Sequence, residues 1–248
     1  MTPKITLIIQ PPFQVAGRER CFSGSPFAIK VQRILQYKRL PFEVEEVGWL
    51  ERAQRLPELS ASRKLPVLNY DGEQIEDSTV IAHELEARHP IPPLVPADPL
   101  LAARCHFLEE WADEALYWYG LYEQRRMTNP QVVTDAYFAG LPDDFRVPAT
   151  QRALEQAEQN LDRQGVGRYP PAKVQMDVRR ALDALLAFIR ADGFVAGSAL
   201  SVADIAIFAQ LHRRSAGTNP WLESELAARP ELAAWMARVN RLTSAPTS

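Results

Sequence analysis

The sequence predicts an α/β domain followed by an all-α helical bundle, and three observations predict it. Strand-like apolar runs occur only in the first third of the chain. A tract with five prolines in ten positions, Pro90 to Pro99, then interrupts any helix. Beyond it, apolar residues recur three and four positions apart, the spacing of one helix face. The expected division is residues 1–89, a linker at 90–99, and residues 100–248.

Lys4 to Gln10 (KITLIIQ) is short, apolar and rich in β-branched residues, and Pro11-Pro12 stop it, so it reads as a buried first strand. A long connection follows, from Pro11 to Gly24. From Pro26 the pattern turns helical: Phe27, Val31, Ile34 and Leu35 share one face, with proline in the first turn and Ser25 at the N-cap position. Phe42 to Val47 alternates apolar with acidic residues as a half-buried strand does, and a helical stretch spans about Trp49 to Leu59. Leu65 to Tyr70, the turn Asp71-Gly72 and a strand ending near Ile75 read as a hairpin. Glu76-Asp77-Ser78 then starts a helix with Ile81 and Leu85 one turn apart. In the second half, one long helix carries Phe107, Leu108, Trp111, Ala115 and Trp118. Others carry Val178 to Ile189, Val202 to Ala209, and Leu232 to Val239.

Composition narrows the function classes. A chain of 248 residues buries a large core without staples. Its net charge of −3 speaks against nucleic acid as a partner. The densest basic spots, near Arg18 and Arg20, at Arg125-Arg126 and at Arg213-Arg214, read as solvated faces. Cys21 and Cys105 are too few for a disulfide framework and lack zinc spacing, and His83, His89, His106 and His212 form no metal or triad pattern, so no metal cofactor is expected. A reduced, cytoplasmic protein with no membrane segment is the expectation.

Three motifs occur in a telling order: Ser25-Pro26-Phe27-Ala28, Lys64-Leu65-Pro66-Val67 and Glu76-Asp77-Ser78. Together they resemble the cytosolic glutathione transferase family. The first is similar to the Ser-Pro-Phe-Cys and Cys-Pro-Phe-Ala segments of several transferase classes. The resemblance implies a thioredoxin-like N-terminal domain joined to an all-helical C-terminal domain, with glutathione as co-substrate. It implies that Ser25 is catalytic, stabilising the glutathione thiolate where first-turn N–H groups and the helix dipole favour negative charge. Lowering a thiol from about 8.5 by about two units takes roughly 2.7 kcal/mol, within reach of one or two charge-assisted hydrogen bonds. It also implies a glutathione site made by Phe27, by Leu65 before a cis Pro66, and by Asp77 and Ser78 for the ammonium and α-carboxylate of the γ-glutamyl group.

In the family the helix corresponding to Trp111–Tyr122 lines the electrophile pocket, which assigns Tyr117, Tyr119 and Tyr122 to a small apolar co-substrate, and the family is homodimeric. Leu200 to Asp204 resembles the capping box of the family's C-terminal domain, with Ser201 and Asp204 as partners. No tyrosine precedes the first helix and no cysteine stands at position 25 or 28, which disfavours the tyrosine-using classes and a dithiol mechanism. Cys21, four residues before Ser25, is a bystander, a mixed-disulfide partner or the true thiol site. Two rival functions therefore stay open: a glutathione-dependent thiol-disulfide reductase using Cys21, and a non-enzymatic binding protein on the same fold.

Overall fold

A computed structural model describes residues 3–18, 20–138 and 140–244. Its N-terminal elements are β1 (Ile5–Ile9), α1 (Pro26–Tyr37), β2 (Glu43–Glu46), α2 (Arg52–Leu59), β3 (Val67–Tyr70), β4 (Glu73–Glu76) and α3 (Ser78–Arg88). The sheet order is β2-β1-β3-β4, with β1 and β2 parallel and the other pairs antiparallel. β1 is apolar apart from Thr6 because both its faces are covered. Ile5, Leu7 and Ile9 join Val31, Ile34 and Leu35 of α1, whereas Ile8 joins Val47, Leu59 and Val67 on the opposite face. The resulting architecture is the expected thioredoxin-like one.

One strand departs from expectation. β2 is an edge strand whose Val44 is exposed; Phe42 and Val47, just outside the paired segment, supply the burial. Its three glutamates fit an edge that must not recruit another strand.

The helical part comprises α4 (Pro99–Trp111), α5 (Tyr117–Arg126), α6 (Pro130–Phe138), α7 (Asp143–Gln164), α8 (Pro171–Asp192), α9 (Val202–Arg214), α10 (Pro220–Ala227) and α11 (Pro230–Thr243). α4 and α5 form one continuous rod through a π-helical turn, Ala112–Leu116. The rod's buried face carries Cys105, Glu109, Ala112, Asp113 and Leu116, and Phe107, about 200° round the helix from Cys105, is 80% exposed rather than a core residue. α9 runs through the middle of the bundle, buried on nearly all sides. Its start is the expected capping box: Ser201 Oγ accepts from the Asp204 N–H, and Asp204 accepts from the Ser201 N–H. The same carboxylate accepts from the Val195 N–H and the Trp235 indole, so its burial is compensated. Among the described residues no helix is long and apolar enough to cross a membrane.

Candidate functional site

The chain leading into α1 is pinned at Ser23, Gly24 and Ser25. Ser23 Oγ donates to the Gln10 carbonyl (3.1 Å) and accepts from the Ser25 N–H (3.2 Å). The Gly24 carbonyl receives two donors, the Tyr137 hydroxyl at 2.5 Å and Arg213 Nε at 3.0 Å. A side chain at position 24 would put its Cβ 2.5 Å from the Tyr137 ring, so glycine is required. Ser25 occupies the N-cap position in extended conformation, but its hydroxyl makes no capping hydrogen bond. That departs from the capping role read from the sequence and leaves the hydroxyl available at a helix N-terminus whose first N–H groups lack helical acceptors.

Beside α1 lies a cleft of about 390 Å³, within the size range of small-ligand sites. Phe27, Leu65, Pro66, Asp77 and Ser78, all expected around glutathione, line it together. Ser25, two residues before Phe27, is not among the lining residues. The Leu65–Pro66 peptide bond is cis. Asp77 is the N-cap of α3, its Oδ1 accepting from the Thr79 and Val80 N–H groups at 2.9 and 3.2 Å, and its backbone sits in left-handed space at φ 73°. Asp and Asn tolerate that conformation better than most residues. Asp77 Oδ2 has no hydrogen-bond partner among the described residues and remains open to a ligand. Behind it, Glu76 accepts from the Ser60 and Ser62 hydroxyls and the Ala61 and Ser62 N–H groups. These bonds, the Ser60 hydroxyl foremost, hold its carboxyl at about 2 and fix the turn that leads to Leu65.

The helical part closes the cleft with Glu110, Asp113 and Glu114. Asp113 belongs to an ion cluster absent from the sequence reading: Lys30 Nζ lies 2.7 Å from both Glu109 and Asp113, all nearly solvent-free. Burial alone would pull the Lys30 ammonium down, but Asp113 and Glu109 more than offset it and raise it above its ordinary value. The cluster ties α1 to the rod of α4 and α5. One signal for it was legible: Lys30 falls three residues after Phe27 and four before Ile34, on the apolar side of its helix.

The three tyrosines separate. Tyr117 packs against Phe27 with ring centroids 5.1 Å apart, and burial pushes its hydroxyl up to about 12. Tyr119 instead lines a separate cavity with Trp118 and Tyr169. Tyr122 is 1% exposed and donates its hydroxyl to the Tyr169 carbonyl, which makes it a core residue and no part of the cleft. Helix geometry explains the split: all three lie within α5, and at about 3.6 residues per turn Tyr119 and Tyr122 point away from the side that Tyr117 occupies. Cys21 is 2% exposed, packed with Phe13 and Val133, and lines a third cavity with Arg18, Arg20 and His212 rather than the cleft.

Two expectations about polar residues change. Arg213 and Arg214 are not a solvated face: each is 2% exposed, because both extend the central helix α9 into the bundle. His83, His106 and Glu109, scattered in sequence, place ligand atoms within 4.8 Å of one another across α3 and α4. Glu109 is already engaged by Lys30 there.

Comparison with known proteins agrees with this geometry. Residues 21–93 match the family model for the glutathione S-transferase N-terminal domain, and residues 147–238 the model for its C-terminal domain. Glutathione S-transferase U8 of Arabidopsis thaliana is 33% identical over 97 residues, 37% of this chain and 42% of that protein. A probable glutathione S-transferase of Nicotiana plumbaginifolia, MSR-1, is 28% identical over 98 residues, 39% of this chain and 45% of the relative. The chain thus spans less than half the length of the curated relatives it matches. Among solved structures, the beta-etherase LigF of Sphingobium sp. strain SYK-6 superposes with a TM-score of 0.69 at 20% identity, covering 97% of this chain and 95% of the other. A Methylobacterium radiotolerans glutathione S-transferase in complex with glutathione sulfonate gives 0.61 at 21% identity, covering 99% and 97%. At these identities the solved structures speak to the fold alone. With one family model on each half of the chain, matching more than half of it between them, and the fold to go with both, the protein belongs to the glutathione S-transferase family.

Proposed function

We propose that the protein is a glutathione transferase, acting in the cytoplasm as a homodimer in detoxification-type conjugation. Glutathione lies in the cleft between Phe27, Leu65-Pro66 and Asp77-Ser78. Its γ-glutamyl carboxylate meets the Ser78 hydroxyl and the N-terminus of α3, and its ammonium meets Asp77 Oδ2. The sulfur then points along α1 to Ser25, whose hydroxyl donates to the thiolate, and the thiolate attacks an electrophile with an apolar body held beside Tyr117. The protein's contribution is thiolate stabilisation and positioning, which a hydroxyl and a helix dipole supply without a base.

The observation that carries this reading is the Ser25 hydroxyl at the start of α1, free of any capping bond, two residues before Phe27 of a cleft lined by the five residues expected to bind glutathione. The rival reductase needs an accessible thiolate at Cys21, and burial among Phe13 and Val133 opposes that. The test is a pair of variants, Ser25→Ala and Cys21→Ser, assayed with 1-chloro-2,4-dinitrobenzene and with a mixed glutathione disulfide. Loss of conjugation in Ser25→Ala with Cys21→Ser active supports the transferase. Disulfide turnover abolished by Cys21→Ser refutes it, and glutathione binding without turnover of any electrophile assigns a binding protein.

A further inference from the structure

We infer that the small cavity under the start of α1, walled by Gly24, Pro26, Tyr117, Tyr137, Gln210 and Arg213, takes a carboxylate carried by the second substrate. The inference rests on the transferase reading and adds a substrate class to it: an electrophile with an apolar body and an anionic group.

Arg213 carries the argument. Its Nε is committed to the Gly24 carbonyl, and its guanidinium stacks over the Phe13 ring at 3.6 Å from the centroid. Its Nη1 and Nη2, both buried, have no hydrogen-bond partner among the described residues, and none of their carboxylates forms an ion pair with it. The next residue shows what a structural arginine looks like in the same place. Arg214 is equally buried, but Glu123 takes its Nε and Nη2, and Asn219 donates to the same carboxylate oxygen. A buried cation without a counter-charge is costly, so its retention next to a neutralised neighbour points to an anion supplied from outside.

The surroundings fit the same ligand. Nη1 and Nη2 of one guanidinium form the fork that grips a carboxylate in a bidentate pair. Arg125 adds like charge: its Nε and Nη1 are also buried without partners, and burial, with Arg213 contributing, pulls its guanidinium below the ordinary value. The Tyr117 hydroxyl stays protonated and so remains a donor on the cavity wall. The cavity holds about 60 Å³, several water volumes, which suits a carboxylate and excludes an aromatic ring. Most of its walls come from α5, α6 and α9 rather than the sheet domain, which places the anion on the second substrate and not on the γ-glutamyl end of glutathione.

The test compares phenyl isothiocyanate with 4-carboxyphenyl isothiocyanate. In each, the glutathione sulfur adds to the central carbon and the nitrogen takes up a proton, so only the carboxylate differs. The expected wild-type preference for the carboxylate, in kcat/KM corrected for the uncatalysed rate, is about tenfold or more, as one bidentate charged pair allows. Arg213→Met removes the preference, and Arg125→Gln, which takes away the neighbouring positive charge, reduces it if Arg213→Met fails to fold. Benzoate binding, followed by quenching of intrinsic fluorescence, should disappear in the same variants. Benzoate binding without any conjugation overturns the transferase reading and leaves the anion site standing. Conjugation of both isothiocyanates at equal efficiency with no benzoate binding overturns the anion site alone. If glutathione glycyl monoethyl ester loses affinity only when Arg213 is present, the anion is glutathione's own carboxylate and the inference falls.

Discussion

Replacing Ser25 with alanine separates a catalytic hydroxyl from a helix cap. A capping serine costs about 1 kcal/mol of stability when lost. Here the hydroxyl makes no capping bond, so Ser25→Ala should leave thermal stability within about 0.5 kcal/mol. What it removes is one O–H donor to the bound thiolate, worth about 1.5 to 3 kcal/mol for a charged acceptor. At about 1.36 kcal/mol per unit, the bound thiol rises by roughly one to two units. Below both values the thiolate fraction falls about tenfold to a hundredfold, but a more basic sulfur is a better nucleophile and recovers close to half of that on a logarithmic scale. The net expectation is a loss of roughly three- to tenfold in kcat with 1-chloro-2,4-dinitrobenzene near pH 6.5, disappearing in alkaline solution. The assay is kcat against pH with glutathione saturating, alongside the ultraviolet thiolate absorbance of the binary complex. A variant profile that superimposes on the wild type refutes the reasoning.

Four further outcomes follow from the geometry. Asp77→Asn keeps the left-handed conformation and the cap and should fold normally with weakened glutathione binding, whereas Asp77→Ala should also lose about 1 to 3 kcal/mol in chemical denaturation, through the lost cap and the strain at φ 73°. Lys30→Met leaves Glu109 and Asp113 buried beside no cation and should destabilise the fold by about 3 to 5 kcal/mol, measured as a lower denaturation midpoint; adding Glu109→Gln and Asp113→Asn should recover much of it. Gly24→Ala forces its new methyl into the Tyr137 ring and should lower kcat by misplacing Ser25, with Tyr137→Ala restoring part of it. His212, half-buried and stacked on Phe208 with Arg33 and Arg213 nearby, has its imidazole lowered by desolvation to about 4. The unfolded chain therefore binds the extra proton between about pH 6.5 and 4, and stability falls with acid across that window by up to about 3 kcal/mol. His212→Gln should flatten denaturation midpoints there, and an unchanged slope would contradict the assignment.

Much of the fold was legible because its signals are local. A strand buried on both faces reads as a mostly apolar run, the proline tract stands between α3 and α4, and the Ser201–Asp204 capping box is contained in four residues. α7 was illegible for the opposite reason: it is 22 residues long but buries only Ala157 and Leu161, so no apolar stripe announces it. The cleft was legible through its motifs, since Phe27, Leu65-Pro66 and Asp77-Ser78 converge from three separate segments. Tyr122 was misread because the resemblance assigned a whole aromatic run to the pocket, whereas residues 117, 119 and 122 point to different sides of α5 and Tyr122 turns into the core. Arg213 was misread because adjacent arginines ordinarily face water, and only the central position of α9 buries them.

The most direct measurement is a crystal structure of the protein with glutathione bound. The γ-glutamyl group should lie at Asp77 and Ser78, the cysteinyl backbone should pair with Leu65, and the sulfur should sit within hydrogen-bonding reach of the Ser25 hydroxyl. A sulfur lying against Cys21, or glutathione seated outside the cleft, would contradict this placement.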